Sequence, residues 1–459
     1  MAVQVMTLGQ IVGEWRQSRD RIAFFEQVRR QINPVQLSAL LTTQFGLDDL
    51  DWVLDTLFEI DRRKTRRFRA EPKTIGIYYP RFFNGGVEKF LSLIMPLYVR
   101  MGYRVVFFTD VIDEQHEYFL DQHRGGEIKR IVLRTDPNDL IARLTELASY
   151  VMQFKIDLFC SHSVTKILPT VLLFKFLDIP IVLGLHNIFT SYVASRHPFL
   201  QPRELNHKIY RLADGLVVLS RVFETFWRNI GCKAHYIPDP IPNDVGDFKR
   251  NPLLNRQTIL WVGRLVEPKG VRAIVPIMQE VAKRLPNAKL RVLGGISDEE
   301  LFRELVGQIK AARPELNIEF CGYHLDVRKF YEEADVMLST SPAEGFSLTI
   351  AESKLFALPL VCYELPYLEL LRERRGYIGV RQGDAVAAAS AIVDILSDEQ
   401  LRMRMSLEAR QTIEPFLNYD LAGAWRNVFN SASNVCWIER NFEVEQLELL
   451  LMKEIWRNR

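Results

Sequence analysis

The chain has 459 residues, with 59 Lys and Arg against 57 Asp and Glu and a formal net charge of +2. Apolar residues make up 48% and charged residues 25%, which excludes a disordered, collagen-like or small disulfide-stapled chain. The near-zero charge gives no basis for nucleic-acid binding, and about 100–200 residues per domain implies two or three domains.

The five cysteines, Cys160, Cys232, Cys321, Cys362 and Cys436, are odd in number and lack C-x-x-C spacing. That speaks against a disulfide framework or a thiolate zinc site and fits a reducing compartment. Met1 to Trp15 shows no basic segment followed by an apolar run, so no secretory signal is expected and the chain reads as cytoplasmic. Ile167 to Leu185, the most apolar stretch, is interrupted by Lys175, Asp178 and Pro180. It predicts helix, turn and buried strand rather than a membrane span.

In chain order, residues 1–72 read as a helical extension. Ile22, Phe25, Val28 and Ile32 recur at helical spacing, as do Leu50, Val53, Leu54, Leu57 and Phe58. A basic run over 62–69 closes the extension; a solvated face is its plainer reading, contact with a membrane surface the other. From 73 to 240 strand and helix alternate. Strands are expected at Thr74 to Tyr79, Tyr103 to Thr109, Ile131 to Leu133, Ile156 to Ser161, Ile181 to Leu185 and Gly215 to Ser220. A helix from Gly86 to Arg100 should kink at Pro96.

Ile237-Pro-Asp-Pro-Ile-Pro242 cannot be regular structure and reads as a hinge. The rhythm restarts over 241–412, with strands at Thr258 to Val262, Lys289 to Leu293, Ile318 to Phe320, Val336 to Leu338 and Leu358 to Cys362. A helical tail covers 413–459, with an apolar set running from Phe442 to Trp456. Buried strands separated by helices imply parallel sheets covered on both faces. The fold class is therefore α/β, with two Rossmann-like halves expected to face each other across a cleft.

Four segments could carry chemistry. In Ser339-Thr-Ser-Pro-Ala-Glu344-Gly-Phe-Ser-Leu-Thr-Ile-Ala-Glu352, a strand leads into a helix with Ser347 as N-cap, leaving the amides of Phe346 to Thr349 for an anion. On one helix Glu344 and Glu352 would lie about 12 Å apart at ~1.5 Å per residue, too far for a glycosidase pair. They suit two hydroxyl-binding contacts on one extended ligand; taken alone they also fit a solvated helix face. Gly263-Arg264-Leu-Val-Glu-Pro-Lys269-Gly270 sets two cations in a loop suited to a diphosphate. Asn84-Gly85-Gly86-Val-Glu88 is a Gly-rich turn into a helix, without a dinucleotide or P-loop fingerprint. His186, in Gly184-Leu-His186-Asn187, ends a strand; His162 is a second, weaker candidate. Asp49-Leu-Asp51 resembles a metal-binding D-x-D but lies in a helical stretch away from any strand end.

Together Asn84-Gly-Gly-Val-Glu88, Leu185-His186-Asn187, Ala213-Asp-Gly-Leu-Val-Val-Leu-Ser220, Gly263-Arg264…Lys269-Gly270 and Glu344…Glu352 resemble the family-4 retaining glycosyltransferases of the GT-B fold, with their E-x7-E signature. The resemblance spans about 73 to 420. It implies that Arg264 and Lys269 hold the donor diphosphate, with Gly263 in the same loop. Glu344, Gly345, Phe346 and Ser347 would meet the transferred sugar and phosphates, and Glu352 the ribose hydroxyls. Tyr323, with Cys321 and Gly322, would line the base pocket. His186 would sit near the sugar's reactive carbon, and Gly85 and Gly86 under phosphate and acceptor.

The implied function is retaining, metal-independent hexosyl or related transfer from a nucleotide-diphosphate sugar to a glycan or lipid-linked acceptor, in polysaccharide or glycoconjugate synthesis. No cofactor or metal is implied, and the protein would be cytoplasmic or peripheral at the inner membrane face. The alternatives are a catalytically weak GT-B scaffold subunit of a glycan-assembly complex and a GT-B sugar-nucleotide epimerase.

Overall fold

The structure, a computed structural model, describes residues 20–43, 46–63, 71–82, 85–112, 128–163, 167–186, 206–242, 256–312, 315–324 and 326–433, with single residues between 11 and 18. Asn84, Asn187, Cys436, most of the basic run 62–69 and the apolar tail positions from Phe442 to Trp456 lie outside the described residues. The chain forms two units, residues 1–237 with 420–459, and 238–419. The stretch expected as one tail, 413–459, is thus divided, Asp420 onwards belonging to the first unit.

The first unit is built on a seven-stranded parallel sheet. Its strands are β1 (Thr74–Tyr78), β3 (Arg104–Thr109), β5 (Ile128–Val132), β6 (Leu158–Ser161), β7 (Ile181–Leu185), β8 (Gly215–Val218) and β9 (Ala234–Tyr236), in the order β5-β3-β1-β6-β7-β8-β9. Two short strands, β2 (Arg81–Phe82) and β4 (Val111–Ile112), pair separately. Every residue of β1, β6, β7 and β8 is buried, which is why these strands read as unbroken apolar runs. β9 and the helix before it were not foreseen, since three residues carry no usable period.

Helices α1 (Arg21–Gln31), α2 (Pro34–Thr43) and α3 (Leu47–Arg63) form the N-terminal extension. They share one apolar core with the sheet's helices α5 (Leu140–Phe154), α6 (Ile167–Phe176), α7 (Asn206–Leu212) and α8 (Arg221–Asn229), whereas helix α4 (Gly86–Arg100) contributes nothing to that core. The predicted strand and helix within Ile167 to Leu185 are both present. α4 continues through Pro96. α6 is buried all round, because the sheet covers one side and the extension the other. Lys175 on α6 is the one cation of that helix. Its Nζ lies 3.0 Å from Asp61 of α3 and 3.0 Å from Asp214, whose other oxygen accepts from the Ile181 amide at 3.0 Å. The buried cation therefore ties the extension to the sheet. Lys208 reaches Asp51 and Asp55 at 2.7 Å on the surface, so Asp51 of the D-x-D is engaged in an ion pair.

The second unit holds a six-stranded parallel sheet in the order β12-β11-β10-β13-β14-β15. The strands are β10 (Thr258–Val262), β11 (Lys289–Leu293), β12 (Ile318–Gly322), β13 (Val336–Ser339), β14 (Leu360–Tyr363) and β15 (Tyr377–Val380). Between and after them come helices α9 (Ile274–Arg284), α10 (Glu299–Ala311), α11 (Arg328–Glu333), α12 (Leu348–Leu355), α13 (Ala385–Ser397) and α14 (Glu399–Leu417). Helix α15 (Leu421–Ser433) then returns to the first unit, where Trp425 and Phe429 pack on Tyr98 at ring separations of 5.4 and 5.1 Å. Among the described residues no helix is long and apolar enough to cross a membrane.

Lys175→Met should lower stability to chemical denaturation by about 3 kcal/mol, because it leaves the buried Asp61 without its cation and Asp214 with only Lys233, at 3.6 Å, and the Ile181 amide. Lys208→Ala, at a surface pair, should cost less than about 1 kcal/mol.

Candidate functional site

Sequential strands spread outward from β10 on one side and from β13 on the other, so the chain direction reverses between these neighbours. Loops diverge there, leaving room for a ligand at the strands' carboxyl ends. The Arg264–Lys269 loop follows β10, and the Glu344 loop follows β13. Gly263 donates its amide to the Leu293 carbonyl at 2.9 Å. Gly294, at φ +151°, has no room for a Cβ against the Gly263 carbonyl. Glycine at these two positions lets the ends of β10 and β11 close on each other.

The two loops are joined by a short polar chain. Trp261, buried in β10, donates Nε1–H to Thr340 Oγ1 at 2.9 Å. That hydroxyl donates to the Lys269 carbonyl at 3.1 Å. Gly270 then turns left-handed at φ +66°, and any Cβ there would collide with the Thr340 carbonyl. Lys269 is thereby held so that its Nζ meets Glu344 Oε1 at 2.7 Å, with the lysine side chain 32% and the glutamate 10% exposed. Further support comes from Tyr367, whose hydroxyl accepts the Glu344 amide at 3.3 Å. Gln382 donates to the Pro342 carbonyl at 2.6 Å. Arg264 is exposed and makes no ion pair among the described residues, so its charge is available to an anion.

The helix start departs from expectation. Ser347 does occupy the N-cap of α12, but its side chain accepts no capping bond. It is left-handed at φ +68°, and its hydroxyl lies 3.3 Å from Thr349 Oγ1. A non-glycine residue in that region is strained by about 1–3 kcal/mol. Phe346 is buried against Phe416 at 5.9 Å, so its side chain anchors the loop and only its backbone remains for a ligand. Glu352 is 7% exposed and accepts from the fully buried Tyr331 hydroxyl at 2.8 Å. Burial, with the nearby carboxylate, raises the Tyr331 phenol well above its usual range, so it stays a donor. The solvated-face reading of Glu344 and Glu352 is therefore incorrect. Tyr323, just past β12, is 47% exposed.

Gly85, Gly86 and His186 lie in the other unit. Gly85 is the extended N-cap of α4, and a Cβ on Gly86 would meet nothing within 4 Å. His186 follows β7, and His162 follows the neighbouring β6. Their rings bond through His162 Nδ1 and His186 Nε2 at 2.9 Å. Phe90 of α4 lies 4.6 Å from His186 and 5.1 Å from His162, and Trp425 of α15 lies 6.4 Å from His162. Burial pushes His186 down to about 3; burial and the His186 ring hold His162 well below its usual range. Both are neutral near pH 7. Trp261, Thr340, Tyr367 and the His162 bond were missed by sequence reasoning, since single core-like residues carry no spacing signal.

Family models match two parts of the chain: Glycosyltransferase Family 4 over residues 84–244 and Glycosyl transferases group 1 over 256–398. An uncharacterized glycosyltransferase of Haemophilus influenzae is 25% identical over 218 residues, 47% of this chain and 61% of that one. The amylovoran biosynthesis glycosyltransferase AmsD of Erwinia amylovora is 24% identical over 236 residues, 50% of this chain and 65% of that one. The chain thus spans less than two thirds of either relative. The crystal structure of Anabaena Alr3699/HepE in complex with UDP and glucose superposes with a TM-score of 0.65 at 19% identity, covering 79% of this chain and 99% of that one. That likeness is one of fold.

Thr340→Val keeps the shape but leaves the Trp261 N–H and the Lys269 carbonyl without their partner; a loss of about 1–3 kcal/mol is expected on denaturation. The histidine pair adds a pH dependence. Below about pH 6.5 the unfolded chain takes up protons that the folded pair refuses. Stability is kept above that pH and lost as pH falls below it, by at most about 1.4 kcal/mol per pH unit per histidine. A His162→Phe, His186→Phe variant should show a shallower fall between pH 7.5 and 5.

Proposed function

Because the chain belongs to the family-4 glycosyltransferases and has the GT-B fold, we propose that it moves a sugar from a nucleotide-diphosphate sugar to a glycan or lipid-linked acceptor with retention of configuration. The observation that carries this reading is the 2.7 Å pairing of Lys269 with Glu344, which joins two motifs at the reversal point of the sheet. A cation made for phosphate and a carboxylate made for sugar hydroxyls stand side by side, with the amides opening α12 beside them.

In this reading Arg264 and Lys269 bind the diphosphate and stabilise charge as it departs. Before the donor arrives, Glu344 holds the Lys269 ammonium; the phosphate then shares that cation, and Glu344 Oε1 turns to the sugar hydroxyls. Glu352, oriented by Tyr331, accepts from the ribose. Tyr323 flanks the base. The family resemblance gives His186 a role near the sugar's reactive carbon, and Gly85 and Gly86 one in the close approach of phosphate or acceptor. The two side-chain cations and the helix N-terminus supply the positive potential, so no metal is required. The departing phosphate takes the acceptor's proton as the acceptor attacks from the same face. The named activity of the AmsD relative supports a polysaccharide setting.

Thermal denaturation with UDP, GDP, ADP and their sugars, in EDTA, tests this. One base series should stabilise the protein, by about 2.7 kcal/mol at one hundred times Kd. Arg264→Ala should lose the shift. Glu344→Ala should keep the nucleoside-diphosphate shift and lose the sugar's increment. No shift at millimolar ligand in any series would overturn the donor site and favour the scaffold reading.

A further inference from the structure

Phe330 and Tyr331 are neighbours on α11, and each holds a different part of the donor site. Phe330 packs against His324 at a ring separation of 4.8 Å. His324 Nε2 lies 2.9 Å from the Cys321 carbonyl. A carbonyl only accepts, so the ring donates and closes the turn that carries Tyr323. Tyr331 is fully buried, and its ring stacks on Phe356, the residue ending α12, at 5.0 Å with the planes 6° apart. The Tyr331 hydroxyl lies 2.8 Å from Glu352 Oε2 and 3.4 Å from the Thr349 carbonyl.

The direction of the Tyr331 bond follows from its partners. A carboxylate only accepts, and the buried phenol keeps its proton. Of the two acceptors in reach, Glu352 is both the nearer and the charged one, so it takes that proton. A carboxylate has lone pairs for several donors, so Glu352 held in this way still accepts from a ligand. At 7% exposure, bulk water is a poor substitute for a hydroxyl that a ligand fails to supply. A buried acceptor of this kind discriminates against a ligand lacking the matching hydroxyl.

The geometry points to Tyr331 as a positioning residue that sets specificity: it holds Glu352 so that the site selects against a nucleoside diphosphate whose ribose lacks the hydroxyl that Glu352 meets. Phe330, beside it on α11, registers the turn carrying Tyr323 against that carboxylate. The inference rests on the reading of Glu352 as the ribose contact.

Isothermal titration with the nucleoside diphosphate of the stabilising base series, and with its 2′-deoxy and 3′-deoxy forms, tests this. The unaltered protein should bind at least one deoxy form about tenfold or more weakly than the parent. Tyr331→Phe should weaken the parent and bring that ratio within about threefold, while the rejected deoxy form binds within about twofold of its affinity for the unaltered protein. Phe356→Leu keeps the phenol but removes the ring stacked on it. It should move the ratio in the same direction by less, and it decides the matter if Tyr331→Phe does not fold. His324→Ala should weaken all three ligands alike and leave the ratio in place. Equal loss of all three ligands in Tyr331→Phe shows a structural role alone and overturns the inference. A ratio that falls as far in His324→Ala as in Tyr331→Phe also overturns it, since packing around α11 would then set the selection. If the unaltered protein binds the parent and both deoxy forms equally, this inference fails while the donor site stands. If it binds no nucleoside diphosphate at all, the donor site itself fails.

Discussion

Every strand of both main sheets runs parallel to its neighbours, and this constraint governs the rest. A parallel sheet needs a crossover after each strand, and the crossovers cover both faces. All strands then end on the same side, and polar groups gather there because the faces are closed to them. In the second unit the β10 and β13 loops meet at that edge, joined by Trp261, Thr340 and Lys269. In the first, the β6 and β7 ends place two histidines within bonding distance. Neither arrangement could arise if alternate strands ran the other way.

Burial gives these groups their character. Thr340 orients Lys269 because Trp261 holds the hydroxyl in a site closed to water. Tyr331 fixes Glu352 from a fully buried position. Lys269 and Glu352 are thus held by groups set back in the core, and side chains held in this way reorganise little when charge develops. The strained Ser347 backbone belongs to the same economy, since tertiary contacts around Phe346 and Pro342 over-determine the loop.

Much of the fold could be read from residues alone. Thr258 to Val262 and Ile181 to Leu185 match their strands because buried parallel strands are nearly unbroken apolar runs, and Lys289 to Leu293 matches by the alternation of its charged and apolar residues. Short elements such as β9 and β15 were not, having too few residues to show a period. For the site, the charged positions stood out as Arg264, Lys269 and Glu344, since charges at strand ends are conspicuous. Their supports did not: Trp261 and Thr340 look like any core tryptophan and strand-end threonine. Ser347 takes the expected N-cap position, but its backbone turns left-handed and its side chain makes no capping bond, a detail that residue type does not disclose. The helical extension was visible by its period, but its attachment through Lys175 was not, since Asp61 and Asp214 are remote in sequence.

The return of α15 to the first unit makes the second unit an insertion within the first. During synthesis the second unit is a contiguous stretch and can complete its core as soon as residue 419 emerges. The first, although its sheet is made earlier, must wait for Trp425 and Phe429 to close the ground beside Tyr98 and the histidine pair. The earlier-made sheet is therefore the later-finished one, and until then its aromatic face is exposed to whatever in the cell binds unfinished chains.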